Sequence, residues 1–189
     1  MREIPSQHMA TRDVELVVVG IAQDGGVPQA GCVCERCVIA LKDETKRLYP
    51  VSCVIRGSDG SVHLVEATRS LSQQLGIAAS ALGIGASLVP DSICLTHAHL
   101  GHIDGIGQFG KEVMGLDGIP LFASSSVIQV LEERRLSAPF QTNAVSPESA
   151  FSPSEECGFE LEFVRVPHRD EYSDTHAIRV GGPNHALLF

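Results

Sequence analysis

The chain has 189 residues, which suits a single domain over residues 1–189 with a sizeable core. An apolar fraction of 43% and a charged fraction of 20% indicate a globular rather than a disordered chain. The net charge of −9 argues against nucleic acid or an anionic membrane surface as a partner, and the absence of Trp argues against base stacking.

The N-terminal segment favours a soluble, cytoplasmic protein. It is charged and interrupted by Pro5, and its apolar stretch is too short and too late for a signal peptide. No stretch of the sequence reaches the length of a membrane span. Because a chain of this size without an export signal has little need of disulfides, we expect its six cysteines to stay reduced.

The first half of the chain predicts strands separated by loops and short helices. Ser58-Asp59-Gly60 is a hairpin turn signature between two of the strands. The predicted strands are Glu15–Gly20, Val51–Arg56, Val62–Ala67 and Ser92–Thr96, and the predicted helices are Lys42–Arg47 and Ser70–Leu75.

The second half continues in the same mixed pattern, which predicts the α/β class. Strands are predicted at Ile119–Ala123, Phe159–Val166, Ala177–Val180 and Ala186–Phe189, helices at Asp104–Met114 and Ser126–Arg135, and irregular structure at Ser137–Ser154. The sequence ends on an apolar stretch that reads as an interrupted strand, so we expect the domain to be incomplete at its C-terminus.

Three of the eight histidines lie within six residues, directly after the strand that ends at Thr96. His97 and His99 are two residues apart, and this spacing points both imidazoles to one side of an extended segment. His102 follows about one turn later. Neutral imidazoles in this pattern suit zinc, iron or manganese, so the segment predicts a site for one or two metal ions.

This segment resembles the H-x-H-x-D-H metal motif of the metallo-β-lactamase superfamily. Gln23–Cys32, Val62–Thr68 and Val166–Glu171 are in turn similar to segments of the branch that contains pyrroloquinoline quinone synthesis protein B. The resemblance extends from Glu15 to Phe189 and implies an αββα sandwich.

The resemblance also implies a set of site residues. By its pattern His97, His99 and His168 bind a first metal ion, and His102 binds a second. Glu66 stands where an acidic residue would orient the ligands and assist catalysis without binding the metal itself.

Gly101 departs from the motif, because it replaces an aspartate that would bind the second ion. The second site is then weak, absent or rebuilt from another carboxylate, and Asp104 is the nearest candidate. Its other interpretations are a helix cap or a catalytic acid that orients the ligands without binding the metal. His176 and His185 fall outside the motif positions, and we expect both to be ordinary strand residues.

The activity implied by the resemblance is metal-dependent hydrolysis, in which an activated water attacks a small ester, lactone or phosphodiester. The alternative is a non-catalytic carrier, or an oxidative relative acting with iron, in quinone cofactor biosynthesis. Both have a small-molecule partner, and both leave oligomerisation open. Because the family has a further aspartate and histidine beyond the position of Phe189, this chain is expected to be poorly active by itself.

Cys32, Cys34 and Cys37 form the pattern C-x-C-x-x-C. Three thiolates at this spacing can hold a structural zinc ion, which needs a fourth ligand. Relatives with this cluster supply a histidine late in the chain. The other interpretation is a set of free thiols or a redox pair. Cys53 and Cys94 lie in apolar strands and are expected in the core.

Overall fold

A computed structural model describes residues 13–189, so the N-terminal segment that contains Pro5 lies outside the described residues. Its larger sheet has six strands in the order of the chain. The second strand is antiparallel to the first and to the third, and each later strand is parallel to the one before it. These strands are β1 (Glu15–Gly20), β2 (Ser52–Arg56), β3 (Val62–Val65), β4 (Ser92–Cys94), β5 (Ile119–Ala123) and β6 (Phe140–Ala144).

A second, antiparallel sheet is formed by the C-terminal part of the described chain. It consists of β7 (Glu160–Arg165), β8 (His176–Gly181) and β9 (Ala186–Leu188), in that order. Residues alternate along β7, so that Leu161 and Phe163 are fully buried while their neighbours are partly or largely exposed. This alternation is the pattern of a sheet with one buried face.

Within residues 13–189, four α-helices connect or flank the strands: α1 (Glu35–Lys42), α2 (Leu71–Ala81), α3 (Leu100–Ile103) and α4 (Ser125–Glu133). Ser124 caps α4, because its hydroxyl accepts a hydrogen bond from the backbone N–H of Val127. Among the described residues, no helix has both the length and the apolar character needed to cross a membrane.

The two faces of the larger sheet bury different cores. Val54 of β2 points into a cluster shared with α2 and α4, whereas its neighbours Cys53 and Ile55 point into a cluster shared with β7 and β8. The described residues therefore form a helix layer, a mixed sheet and an antiparallel sheet. The mixed α/β class expected from the sequence is confirmed.

Three local expectations were wrong. The helix predicted at Asp104–Met114 is only a 3-10 turn at Ile106–Phe109, because glycines at 105, 107 and 110 interrupt the segment. The helix predicted at Lys42–Arg47 does not form, because α1 already ends at Lys42 and only a 3-10 turn at Glu44–Lys46 follows it. The stretch predicted as irregular at Ser137–Ser154 contains β6, an edge strand whose polar composition hides its pairing with β5.

The direction of the strands decides where the connecting loops meet. Because β2 is antiparallel to both β1 and β3, β1 runs in the same direction as β3 and β4. The chain therefore leaves all three strands at one edge of the sheet. The loops that carry Asp24, Glu66 and His97 begin at this shared edge.

The two-sided core predicts how stability responds to truncation of apolar side chains. Leu64 of β3 is fully buried, so Leu64→Ala is expected to lower the free energy of unfolding by about 2–5 kcal/mol. Leu41 of α1 is 64% exposed, and Leu41→Ala should change it by about 0.5 kcal/mol or less. Urea unfolding measures the free energy of unfolding of both variants. An equal loss of stability in the two would contradict this assignment of the core.

Candidate metal centre

A cleft of about 700 Å³ opens at the edge where β1, β3 and β4 end. Its lining comes from loops that are distant in the sequence: Asp24 follows β1, Glu66 follows β3, His97 follows β4 and His168 follows β7. The fold thus gathers side chains that the sequence separates by as many as 144 residues, from position 24 to position 168.

His97, His99 and His168 converge in this cleft, as the sequence predicts. Each offers a ring nitrogen, and these three atoms lie within 4.8 Å of one another. Nε2 of His168 is 3.2 Å from Nδ1 of His99. Two donor atoms bound to one tetrahedral zinc ion are about 3.4 Å apart, so this spacing suits a shared ion.

His97 is held in the form that a metal ion requires. Its Nδ1 is 2.8 Å from the hydroxyl of Thr96, and its Nε2 is buried without a hydrogen-bond partner among the described residues. Burial, together with the neighbouring His102, His99 and His168, lowers the pKa of His97 to about 3. The ring is therefore neutral at physiological pH and keeps a lone pair for coordination.

Glu66 is fully buried beside the histidines and has a positive φ of 67°. Its Oε1 accepts a hydrogen bond from the backbone N–H of Thr96 at 3.1 Å and lies 3.5 Å from Nδ1 of His102. Its Oε2 has no partner among residues 13–189. Glu66, His97 and His102 form a second group whose ligand atoms lie within 4.8 Å of one another.

The other ring nitrogen of His102 faces Asp24, with 3.6 Å between Nε2 and Oδ1. Burial lowers the pKa of His102, but Glu66 and Asp24 raise it more, so the net shift is upward. Asp24 lies directly over Gly101. A Cβ atom at position 101 would overlap the Cα and Cβ of Asp24 and would lie 2.7 Å from its Cγ.

Asp104 was the carboxylate predicted from the sequence to replace the missing aspartate, but it does not line the cleft. Its Oδ2 is 2.7 Å from the guanidinium of Arg69, and it follows α3 as the helix C-cap. Asp24 instead lies against Gly101 and faces His102. The sequence showed Asp24 only as part of a glycine-rich loop. This pattern predicts a tight turn, but it does not predict that the carboxylate faces His102.

Two further side chains lie at the cleft or beside it. His176 is the first residue of β8, as expected of a strand residue, but it is also buried and faces the cleft. Glu171 lies 3.3 Å from Nε2 of His99 and orients that ring, as carboxylates do for metal-binding imidazoles. His185 does not lie in a strand, because the turn between β8 and β9 contains it.

The three clustered cysteines meet at a separate centre. The sulfur atoms of Cys32, Cys34 and Cys37 lie within 4.8 Å of one another, outside the lining of the histidine cleft. Cys34 is the N-cap residue of α1, and the backbone N–H of Cys37 and the two neighbouring thiols lower the pKa of Cys34. All six cysteines are unpaired, and Cys53 and Cys94 are fully buried as expected.

Both clusters fit metal ions. Nε2 of His97 and Oε2 of Glu66 are buried donors with no partner in the described part of the chain, and such groups are costly unless something binds them. Neutral imidazoles with a carboxylate suit zinc, iron or manganese, whereas three thiolates suit zinc. His97, His99 and His168 would hold a first ion in the cleft, and Cys32, Cys34 and Cys37 would hold a separate one.

Solved structures with the same fold are metallo-β-lactamase-fold proteins. Zinc-bound PqqB from Methylobacterium extorquens matches with a TM-score of 0.74 and 17% identity over 92% of this chain. A diphosphatase from the PhnP family matches with a TM-score of 0.62 and 24% identity over 90% of this chain. YhfI from Bacillus subtilis matches with a TM-score of 0.63 and 18% identity over 94% of this chain. The chain spans 63%, 63% and 61% of these three proteins.

Sequence comparison adds no closer relative, since neither a protein-family model nor a curated protein matches the chain. The agreement with the solved structures is therefore one of architecture. The metallo-β-lactamase-like sandwich expected from the sequence is confirmed, and the resemblance to that superfamily is confirmed at the level of the fold.

A zinc ion among the three clustered cysteines predicts a change in thiol reactivity. Before chelation, Cys32, Cys34 and Cys37 should react slowly with a thiol reagent. After chelation, the accessible thiols of Cys32 and Cys34 should react fast, and the buried Cys37 more slowly. The other cysteines are fully buried and serve as an internal control. If chelation changes neither the number nor the rate of reacting thiols, the cluster holds no metal ion.

Glu66→Gln keeps the shape of the side chain and an oxygen for the N–H of Thr96, but it removes the charge that faces His102. Loss of such an orienting carboxylate is expected to weaken metal binding in the cleft by about 10–100-fold. Competition with a chromophoric chelator measures this, with the exposed Glu133→Gln of α4 as the control. Equal zinc affinities of the two variants would show that Glu66 does not support metal binding in the cleft.

Proposed function

We propose that this protein is a metal-dependent hydrolase similar to PqqB, acting on a small ester, lactone or phosphodiester. The observation that carries the proposal is the convergence of His97, His99 and His168 in an open cleft, with a second group beside them. The cleft volume of about 700 Å³ is in the range of small-molecule sites. The fold it shares with the metallo-β-lactamase-fold proteins supports the same class of chemistry.

A metal ion bound here would polarise a carbonyl or phosphoryl oxygen and supply a reactive water near neutral pH. The residues of the chain prepare for this role. His97 stays neutral and presents Nε2 to the cleft, and the buried carboxylate of Glu66 lies 3.5 Å from Nδ1 of His102. Glu171 contacts Nε2 of His99 and orients that ring before a substrate enters.

Arg169 contributes the positive charge of the lining. It lies at the rim, its side chain is 72% exposed, and its Nη1 is 3.7 Å from Glu171. A substrate with a carboxylate or phosphate group would be attracted to this side chain. The charge of the remaining lining, which includes Asp24 and Glu66, disfavours a polyanion such as nucleic acid.

Gly101 favours a second candidate, a non-catalytic carrier or an oxidative relative in quinone cofactor biosynthesis, because this position lacks a carboxylate. Such a protein would bind one ion and a small ligand without hydrolysing esters. Saturable ligand binding in the absence of turnover would distinguish the carrier, and oxygen consumption with an iron-loaded sample would distinguish the oxidative enzyme.

Substitution of a central histidine tests the hydrolase proposal. His97→Ala removes a member of both metal groups, so hydrolysis of aryl phosphodiesters, aryl esters and lactones should fall by about 100-fold or more. His185→Ala changes an exposed histidine in a turn and should leave the rate unchanged. Elemental analysis of both variants shows whether the cleft has lost metal.

Chelator treatment of the unmodified chain is a second test of the hydrolase proposal. Hydrolysis should stop on chelation and return when zinc, manganese or iron is restored. Activity that survives chelation, or that is equal in His97→Ala and His185→Ala, would contradict the proposal. A chain that holds metal in the cleft but turns over no substrate of these classes would favour the carrier.

A further inference from the structure

We infer that Asp24, on the glycine-rich loop after β1, is a ligand for a second metal ion, which it binds together with His102. The inference rests on the proposed metal-dependent function, because it presupposes a metal-binding cleft. It assigns a role to a residue that sequence patterns leave in a turn.

The two ring nitrogens of His102 face two different carboxylates. Nδ1 lies 3.5 Å from Glu66, which is fully buried, and Nε2 lies 3.6 Å from Asp24, which is half exposed. Nδ1 is buried and has no hydrogen-bond partner among the described residues. The nitrogen of His102 that can share an ion with Asp24 is therefore Nε2, which faces that carboxylate.

The distance between the two donor atoms fits a shared ion. Two nitrogen or oxygen atoms bound to one tetrahedral zinc ion are about 3.4 Å apart. Nε2 of His102 and Oδ1 of Asp24 are 3.6 Å apart, which is longer than a good hydrogen bond. The pair is thus spaced for a bridging cation better than for a direct contact.

Gly101 is what allows Asp24 to reach this position. The space that a side chain at position 101 would fill is taken by Asp24, whose Cγ would lie 2.7 Å from the added Cβ. Any larger residue at 101 would displace the loop and its carboxylate. The side chain that Gly101 lacks thus leaves room for the carboxylate of Asp24.

Two protein donors leave coordination positions open to water or substrate, so this second site should bind more weakly than the three-histidine group. Zinc binding is therefore expected in two phases in the cleft. The tighter phase depends on His97, His99 and His168, and the weaker phase depends on Asp24.

The test measures zinc content and affinity rather than activity. Asp24→Asn preserves the shape of the side chain and should lose one zinc ion per chain, or require about tenfold or more free zinc to retain it. The matched control, Asp104→Asn, removes the carboxylate paired with Arg69 and should keep the zinc content of the unmodified chain. The cysteine cluster is the same in all samples, so its ion cancels from the comparison.

The outcomes separate this inference from the proposal on which it rests. The role of Asp24 is wrong, while the hydrolase proposal stands, in either of two cases. The unmodified chain binds only one zinc ion in the cleft, or Asp24→Asn keeps two zinc ions there with unchanged affinity. Loss of the second ion in Asp104→Asn alone would assign it to Asp104 instead. If the unmodified chain binds no ion in the cleft, both proposals fail.

Discussion

The common direction of β1, β3 and β4 is the constraint on which the candidate metal centre depends. Strands that run the same way deliver their following loops to one edge of a sheet, and here those loops carry Asp24, Glu66 and His97. The antiparallel sheet packs against the other face and adds His168 from its own loop. The scaffold thus fixes the positions from which the ligands project, and the loops determine their chemistry.

Burial gives this cluster its chemical character. Glu66 is fully buried with one unpartnered oxygen, and His97 is buried with an unpartnered nitrogen, among the residues that the structure describes. Groups of this kind oppose folding unless they are satisfied, so a bound cation would stabilise the chain as well as serve catalysis. The same burial keeps His97 neutral, which is the state that coordination needs.

Local patterns predicted most of the strands, the histidine segment and the cysteine cluster, because each is encoded by neighbouring residues. The strand Phe140–Ala144 was missed, since an edge strand with polar residues has no clear alternation. Asp24 was missed for a different reason. Its contact joins positions 24 and 101, and a glycine offers no side chain from which such a contact can be predicted. Proximity in sequence favoured Asp104, which Arg69 holds elsewhere.

Anomalous diffraction at the zinc absorption edge, from crystals grown with zinc, tests the central claim most directly because it locates each ion without reference to activity. The account predicts one peak among His97, His99 and His168, a weaker peak between His102 and Asp24, and a third among the clustered cysteine sulfurs. A cleft without any peak at saturating zinc would contradict the assignment of this edge of the sheet as a metal centre.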